Sequence, residues 1–216
     1  VATLPGTATT WNDDTAQVGV EYEYKLQRGV AIGYIHSGIR LPLKDDWGKV
    51  ILLVDDTMLV PLAAELHDLE RLLVADGWEV VRGTVSRTDT VPDVKAKIRQ
   101  LYDLDPQHTR ALLLFGHIPV PYSGDLVPDG HNGSAGNNHR GAWPADSFYA
   151  DLDGNWTDTT VNRTTSNYVR NHNIPGDGKY DQSHVPSLLE LEVGRVDLSS
   201  LPKLAILGTE TELLRN

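Results

Sequence analysis

The stretch KVILLVDD, residues 49–56, decides the fold of this chain. It is a nearly continuous apolar run that ends in two aspartates, which is typical of a parallel strand buried on both faces. Apolar residues follow at helical spacing, at Leu62, Leu66, Leu69, Leu72 and Leu73. Gly77 suits the cap that ends a helix. The stretch therefore predicts the first strand and the first helix of an α/β domain.

The same strand-and-helix alternation continues beyond Gly77. WEVVRGTV, residues 78–85, predicts a second strand, and TVPDVKAKIRQLYDLD, residues 90–105, predicts a helix with Thr90 as its N-cap. TRALLLFG, residues 109–116, predicts a third strand. An order of β-α-β-α-β is expected to give a parallel sheet with helices packed against it.

Beyond the third strand the chain changes character. Residues 119–185 are rich in Gly, Asn, Asp, His and aromatic residues and show little periodicity. A connection of this length without secondary structure is uncommon, so we predict a structured loop region with a functional role. A fourth strand is then predicted over Leu188–Val193. A terminal helix is expected to begin within KLAILGTETELLRN, residues 203–216.

Residues 1–46 have an all-β pattern instead. VEYEYKLQRG, residues 20–29, alternates apolar and polar side chains with period two, and a second strand after Gly29 would complete a hairpin. TAQVGVEYEYKL, residues 15–26, resembles the end of a fibronectin type III domain, with Tyr22 as its corner tyrosine. The resemblance implies a short β segment of a fibronectin-like sandwich, and we expect the chain to be a fragment of a longer protein.

Composition narrows the classes of function. Apolar residues make up 40% of the 216 residues, which is enough for a packed core, and the net charge of −11 disfavours nucleic acid and anionic membrane as partners. No apolar stretch approaches the roughly 20 residues of a membrane span. The chain has no cysteine, which excludes disulfides, thiolate metal sites and a cysteine nucleophile within it.

Polar side chains follow three of the predicted strands. Asp55 and Asp56 follow the first, His117 follows the third, and Arg195 and Asp197 follow the fourth. Ligands of open α/β sheets bind at the carboxyl ends of the strands, so these residues are candidates for a site. A histidine there can act as a general base. It can equally do no more than hydrogen-bond the loop backbone, and the position alone leaves both interpretations open.

Several blocks together resemble the gingipain-type cysteine peptidases. They are KVILLVDD, WEVV, RALLLFGHIPVP (residues 110–121), WPADSFYADLDGNWTD (residues 143–158) and LLELEVGRVDLSSLP (residues 188–202). The resemblance implies a caspase-like α/β domain over residues 47–216, incomplete at its C-terminal end, with a mostly parallel sheet flanked by helices. It also implies that His117 takes the position of the catalytic histidine.

The catalytic cysteine of that family has no counterpart here. Its position falls on Leu198 or Asp197, and neither side chain can form a thioester. We therefore expect a secreted, extracellular or cell-surface relative that serves as a binding or structural module beside other domains of a longer parent chain. The alternative is an active hydrolase in which His117 works with Asp197, Asp146 or a bound water, or with a nearby serine at position 199 or 200.

Oxygen-bearing side chains in two loops are candidate calcium ligands. In DLDGNWTD the candidates are Asp151, Asp153, Asn155 and Asp158, at positions 1, 3, 5 and 8 of the stretch. Calcium takes six to eight hard oxygen ligands, which short Asp- and Asn-rich loops supply. The alternative is an Asp-Gly turn with solvated carboxylates. A second set comprises Asp177 and Asp181, with Asn173, where a turn is the stronger alternative.

Aromatic residues and histidines complete the candidates. Trp143 and Tyr149, with Arg195 as a further binding residue, are expected to line a groove for a peptide or glycan. The alternative for these aromatics and their neighbours Phe148 and Trp156 is a small satellite core. The loop histidines do not match a zinc signature; they are His131, His139, His172 and His184.

Overall fold

The computed structural model describes residues 2–41, 46–127 and 139–215, and the chain divides into two compact units, Val1–Lys44 and Asp45–Asn216. The second unit contains a four-stranded parallel sheet flanked by helices, which confirms the predicted α/β class. His131 lies outside the described residues. No helix within the described ranges is both long enough and apolar enough to cross a membrane.

The first unit is built around the predicted hairpin. Strands β1 (Glu21–Arg28) and β2 (Ala31–Gly38) pair antiparallel. Tyr24 donates a hydrogen bond to Asp13, and Trp11 packs edge-on against its ring. Most side chains of the hairpin are exposed, as expected of two strands without a covering layer.

The second unit contains four helices and six strands among the described residues. In chain order they are β3 (Gly48–Asp55), α1 (Ala63–Ala75), β4 (Trp78–Val85), α2 (Val91–Tyr102), β5 (Thr109–Phe115), β6 (Tyr122–Leu126), β7 (Gly141–Pro144), α3 (Ser147–Ala150), β8 (Glu192–Val196) and α4 (Glu210–Leu214). The parallel sheet has the order β4-β3-β5-β8, so the quoted apolar strand β3 lies inside it.

The core lies on both faces of β3, as its apolar run predicts. Leu52 and Val54 pack with Leu62 and Leu66 on the α1 side, whereas Ile51 and Leu53 belong to a second cluster. That second cluster includes residues of α2, β5 and α3, namely Val94, Ile98, Leu112, Leu114, Phe148 and Tyr149. Burying one such side chain contributes about 1.5–3 kcal/mol, so these two layers dominate the stability of the unit.

The ends of the first two helices agree with the sequence signals. Within α1, however, one residue of the predicted apolar stripe does not. The Thr90 side chain accepts the N–H of Asp93, and Gly77 adopts a φ of 102° just after the C-cap of α1. The predicted stripe is wrong at Leu72, which is 68% exposed. At about 100° per residue, Leu72 lies roughly 90° around the helix from the centre of the buried leucines.

The C-terminal elements begin later than predicted. The fourth strand spans Glu192–Val196, and Leu188 is 88% exposed, because backbone pairing with β5 starts only at Glu192. Helix α4 occupies only Glu210–Leu214, where Thr209 and Glu212 form a capping box. The residues before Thr209 form turns, and the capping box fixes the start of the helix at this point.

The described residues between β5 and β8 are held by polar contacts as well as by the packing of Ile118, Phe148 and Tyr149 in the core. Strands β6 and β7 form an antiparallel pair, and an isolated bridge joins Arg163 to Asn173. The side chains of Arg140 and Arg163 both pair with Asp125 at the end of β6. The described residues of this segment are therefore structured, whereas a functional role of the segment stays a prediction.

Candidate functional site

The carboxyl edge of the sheet brings together the residues predicted to lie there. Asp55 is the last residue of β3, His117 follows β5 by two residues, and Asp197 directly follows β8. Arg87 follows β4 by two residues and reaches the same edge. Parallel strands place their carboxyl ends together, which is why residues distant in sequence meet here.

His117, Asp197 and Ser199 form the centre of this edge. The Nδ1 atom of His117 lies 2.9 Å from Oδ2 of Asp197 and 2.7 Å from Oγ of Ser199. The Ser199 hydroxyl also donates to Oδ1 of Asp197 at 2.7 Å, and the Ser199 N–H donates to the same oxygen at 2.9 Å. Two polar side chains therefore share one nitrogen of the imidazole.

Asp197 is ionised, and this determines which ring nitrogen of His117 carries the proton. Burial raises the pKa of Asp197, but hydrogen bonds from the Ser199 side chain and backbone and from His117 outweigh it and leave that pKa below its usual value. An ionised carboxylate only accepts hydrogen bonds, so Nδ1 of His117 carries the proton and donates. The lone pair of the neutral ring is then on Nε2, and no described residue hydrogen-bonds that atom.

The backbone of His117 is held by a buried carboxylate. Its N–H donates to Oδ2 of Asp55, which also receives a hydrogen bond from Arg87, while Oδ1 accepts from the N–H and hydroxyl of Thr57. Asp55 is fully buried. Gly116 permits this approach, because it has a φ of 88° and an added Cβ would lie 2.7 Å from the Cβ of Asp55.

Arg87 is the residue of this edge that sequence reasoning missed. It lies 32 residues from Asp55, and local periodicity carries no information on such a pair. The signal that could have found it is topological, since Arg87 follows a predicted strand at the same edge as His117.

Arg195 of β8 connects the loop after His117 to the sheet through hydrogen bonds. Its guanidinium makes two hydrogen bonds of 2.8 Å to the carboxylate of Asp146 and donates to the carbonyl oxygen of Ile118 at 2.6 Å. Only 14% of the Arg195 side chain is exposed. The bidentate pair engages Asp146 and Arg195 with each other, and Nη1 of Arg195 also lies 3.8 Å from Oδ2 of Asp197, so Arg195 helps to position the site.

The first set of candidate calcium ligands is engaged by the chain itself. The Asp151 carboxylate accepts hydrogen bonds from the N–H of Gly154, the indole of Trp156 and the hydroxyl of Ser187. Asp153 instead pairs with Arg99 of α2 at 2.7 Å. Asn155 lies just after a bend over residues 152–154. Asp151 is fully buried, so its carboxylate is not solvated as the alternative of an Asp-Gly turn requires.

The remaining candidate calcium ligands form hydrogen bonds and ion pairs within and between the loops. Asp158 accepts the N–H groups of Gly176 and Gly178, and Asp177 pairs with the Lys179 ammonium. Asp181 accepts backbone N–H groups of three successive residues, Thr159, Thr160 and Val161. Across the described ranges, no three His, Asp or Glu side chains come together as a metal-binding group.

The candidate binding aromatics divide between core and surface. Tyr149 is fully buried, its hydroxyl donates to the carbonyl of Pro119, and burial raises its pKa above the usual range. It therefore belongs to the core and offers no surface to a ligand. Phe148 stacks on Tyr180, and Trp156 packs edge-on against both rings. These aromatics join the main core beside α2 and β5 and do not form a separate satellite core. Trp143 is only partly buried.

The described loop histidines lie apart from the His117 site. Nε2 of His172 contacts the carbonyl oxygen of Ser166 at 2.8 Å, and His139 packs against the ring of Tyr168. His184 is exposed. These separate environments agree with the mismatch to a zinc signature.

Known proteins give no independent guide to this site. No family model, no curated protein and no solved structure matches the chain.

Proposed function

We propose that this chain is a non-proteolytic module of a longer extracellular protein, with a caspase-like domain of the gingipain type, and that it binds a ligand without cleaving peptide bonds. The observation that carries the proposal is the position of Ser199. Its hydroxyl contacts the same imidazole nitrogen as Asp197, and it donates its proton to Asp197.

A serine nucleophile needs a different arrangement. In a serine hydrolase the carboxylate holds one nitrogen of the histidine, and the opposite nitrogen removes the proton of the serine hydroxyl. Here both Ser199 and Asp197 lie at Nδ1, so Nε2 has no described hydroxyl to activate. Ser199 thus serves to orient Asp197 and His117.

The carboxylates named as substitute nucleophiles are also engaged. Asp146 is paired through both oxygens with Arg195, and Asp197 accepts hydrogen bonds at both of its oxygens. A carboxylate held in this way loses its hydrogen bonds when it attacks a carbonyl carbon, which raises the barrier. These contacts support a positioning role for both residues.

The wider parts of the proposal rest on the resemblance and on the sheet. Four parallel strands with flanking helices are compatible with a caspase-like domain, and the β1–β2 hairpin is compatible with the last strands of a fibronectin-like sandwich. Secretion and the neighbouring domains of a parent chain follow from the resemblance to gingipain-type proteins.

Peptide turnover by the whole chain tests the proposal. We expect no cleavage of a broad fluorogenic peptide library above the buffer rate, for the wild-type chain and for His117→Ala alike. The matched control is His67→Ala, which removes an exposed histidine of α1. Turnover that disappears in His117→Ala and persists in His67→Ala would overturn the proposal.

A second function is favoured by the free nitrogen of His117. Nε2 has no described partner while Nδ1 is fixed, and 36% of the side chain is exposed. In this mechanism Nε2 takes a proton from water and the water oxygen bonds to a substrate carbonyl carbon. The bond from that carbon to the leaving group then breaks, and the proton passes from Nε2 to the leaving group. Loss of turnover in both His117→Ala and Asp197→Asn, with turnover that is reduced but persists in Ser199→Ala, would establish this function instead.

A further inference from the structure

A cavity of about 210 Å³ lies beside the β6–β7 hairpin. Trp143 and Trp156 line it, together with the segment from Gln182 to Val185. Of the described residues in its wall, none belongs to the His117 site. Pockets for drug-sized ligands occupy about 300–1,000 Å³, so this volume suits a single small ring.

The described wall of the cavity is poor in charged residue types. None of the described residues that line it is Asp, Glu, Lys or Arg, although 23% of the whole chain is charged. An ionic ligand would lose its hydration there without gaining an opposite charge, which costs free energy. The cavity therefore favours a neutral ligand.

The two tryptophans contribute ring surface. The indole N–H of Trp143 donates to the carbonyl of His139 at 2.9 Å, and that of Trp156 donates to Asp151 at 3.1 Å. Both rings are thus fixed, and their donors are already used. What remains for a ligand is flat apolar surface, which packs well against another flat apolar face.

Polar groups in the same wall remain available for a ligand. The Ser147 hydroxyl and the His184 imidazole have no hydrogen-bond partner among the described residues. Ser183 accepts the N–H of Asp125 at 3.0 Å through its Oγ, which leaves its O–H free to donate. Flat apolar surface next to several donors and acceptors suits a ligand that has both an apolar face and hydroxyl groups.

An extended peptide fits this place less well. Peptides commonly bind by adding a strand to a free sheet edge. The outer edge of β6 is already occupied, because Gly124 donates to the carbonyl of Tyr180 and Tyr180 donates to that of Tyr122.

We infer that this cavity binds one neutral pyranose ring of a glycan, which stacks on Trp143 and hydrogen-bonds to Ser147, Ser183 and His184. The inference rests on the proposed function in one respect, since it names the ligand class of the binding module. Its carbohydrate site is separate from the His117 edge.

The test is titration of the whole chain with glucose, galactose, mannose and N-acetylglucosamine, followed by tryptophan fluorescence and by NMR. We expect saturable binding of at least one sugar at or below about 50 mM, where single-ring ligands of low affinity are detected. Trp143→Ala should weaken binding about tenfold, the loss of about 1.4 kcal/mol of stacking. The control Trp47→Ala removes an exposed tryptophan outside the cavity and should change affinity less than twofold.

His184→Ala keeps the test decisive if Trp143→Ala fails to fold, because His184 is exposed and its loss should still weaken binding severalfold. Absence of binding by all four sugars, equal affinity in wild type and His184→Ala, or binding of a neutral tetrapeptide in place of sugar would each overturn the inference. Peptide turnover that depends on His117 would overturn the proposed function while leaving a measured sugar affinity unaffected, so the two failures are distinguishable.

Discussion

At the scale of single residues, the Nδ1 atom of His117 determines what this edge of the sheet can do. It donates to an ionised Asp197 and is also contacted by Ser199. An imidazole held in this way keeps one tautomer and one orientation. The chemistry of the site then depends on what reaches Nε2, and the described residues supply no nucleophile there.

Replacing Asp197 by Asn should destabilise the domain at neutral pH. The hydrogen bonds that hold the pKa of Asp197 low contribute stability above the unfolded-state pKa of about 3.9, and that stability is lost as the pH falls through the lower folded-state pKa. Loss of charged hydrogen bonds costs about 1–3 kcal/mol. Urea unfolding of wild type and Asp197→Asn at pH 7 and at pH 2.5 measures this loss in the free energy of unfolding.

The difference between wild type and Asp197→Asn should shrink at the acidic pH. Asp14→Asn is the matched control, because Asp14 is an exposed residue of the first unit and should give little difference at either pH. A difference for Asp197→Asn that is unchanged at pH 2.5 would contradict the assignment of an ionised Asp197.

Gly116→Ala should be more harmful than an ordinary glycine substitution. Its φ of 88° strains an L-residue, and the new Cβ would also meet the Cβ of Asp55 at 2.7 Å. Gly176 has a φ of 83° with nothing near its Cβ position, so Gly176→Ala isolates the strain, about 1–2 kcal/mol. We expect Gly116→Ala to lose at least about 2 kcal/mol more in urea unfolding, as overpacking of a core does. Equal losses would mean that Asp55 moves aside freely.

At the scale of elements, aspartate carboxylates stabilise irregular parts of the segment between β5 and β8 by accepting backbone hydrogen bonds. Asp181 accepts three successive backbone N–H groups, and Asp158 accepts two from a neighbouring turn. Backbone N–H groups outside helices and strands still need hydrogen-bond acceptors, and these aspartates supply them. Aspartates selected in the sequence as calcium ligands thus have a structural role.

Asp181→Asn should loosen this segment. Burial raises the pKa of Asp181, but the N–H groups of Val161 and Thr159, with other donors, outweigh it and hold that pKa far below its usual value. We expect the melting temperature to fall by about 2–4 °C at pH 7, the equivalent of about 1 kcal/mol. The fall should diminish as the pH drops from about 3.9, where Asp181 of the unfolded chain becomes protonated, towards the much lower pKa of the folded state.

Asp153→Asn is the matched control for this loop. Asp153 makes an exposed ion pair with Arg99, and such pairs contribute little. A melting temperature that falls equally in both variants would contradict the special role of Asp181.

Sequence patterns predicted the elements better than their contacts. The apolar run of β3 and the N-cap at Thr90 are local signals, and both were correct. The fourth strand was placed too early because Leu188 and Leu189 resemble strand residues, whereas pairing begins at Glu192. Local patterns cannot show where a backbone meets its partner strand.

The candidate site was predictable only in part, for the same reason. The parallel topology placed His117 and Asp197 at one edge before any contact was known. The pairing of Arg195 with Asp146 and of Arg87 with Asp55 joins residues 49 and 32 positions apart. Such pairs depend on the folded geometry, and no spacing rule of a single sequence reports them.

At the scale of the whole molecule, calcium stabilisation stays a prediction with a direct test. If calcium binds the folded chain at the Asp-rich loops, millimolar calcium should raise the melting temperature and a chelator should lower it, by an amount that grows with calcium concentration. Equal melting temperatures in calcium and in chelator would contradict the prediction. Magnesium at the same concentration controls for ionic strength.

The most direct test of the central claim is whether Ser199 behaves as a nucleophile. The whole chain is incubated with a fluorophosphonate, which labels activated serines, and its intact mass is measured beside a serine hydrolase that becomes fully labelled. Because the Ser199 hydroxyl donates to Asp197 and shares Nδ1 with it, the account predicts no adduct. A stoichiometric adduct on Ser199 that disappears in His117→Ala would contradict it.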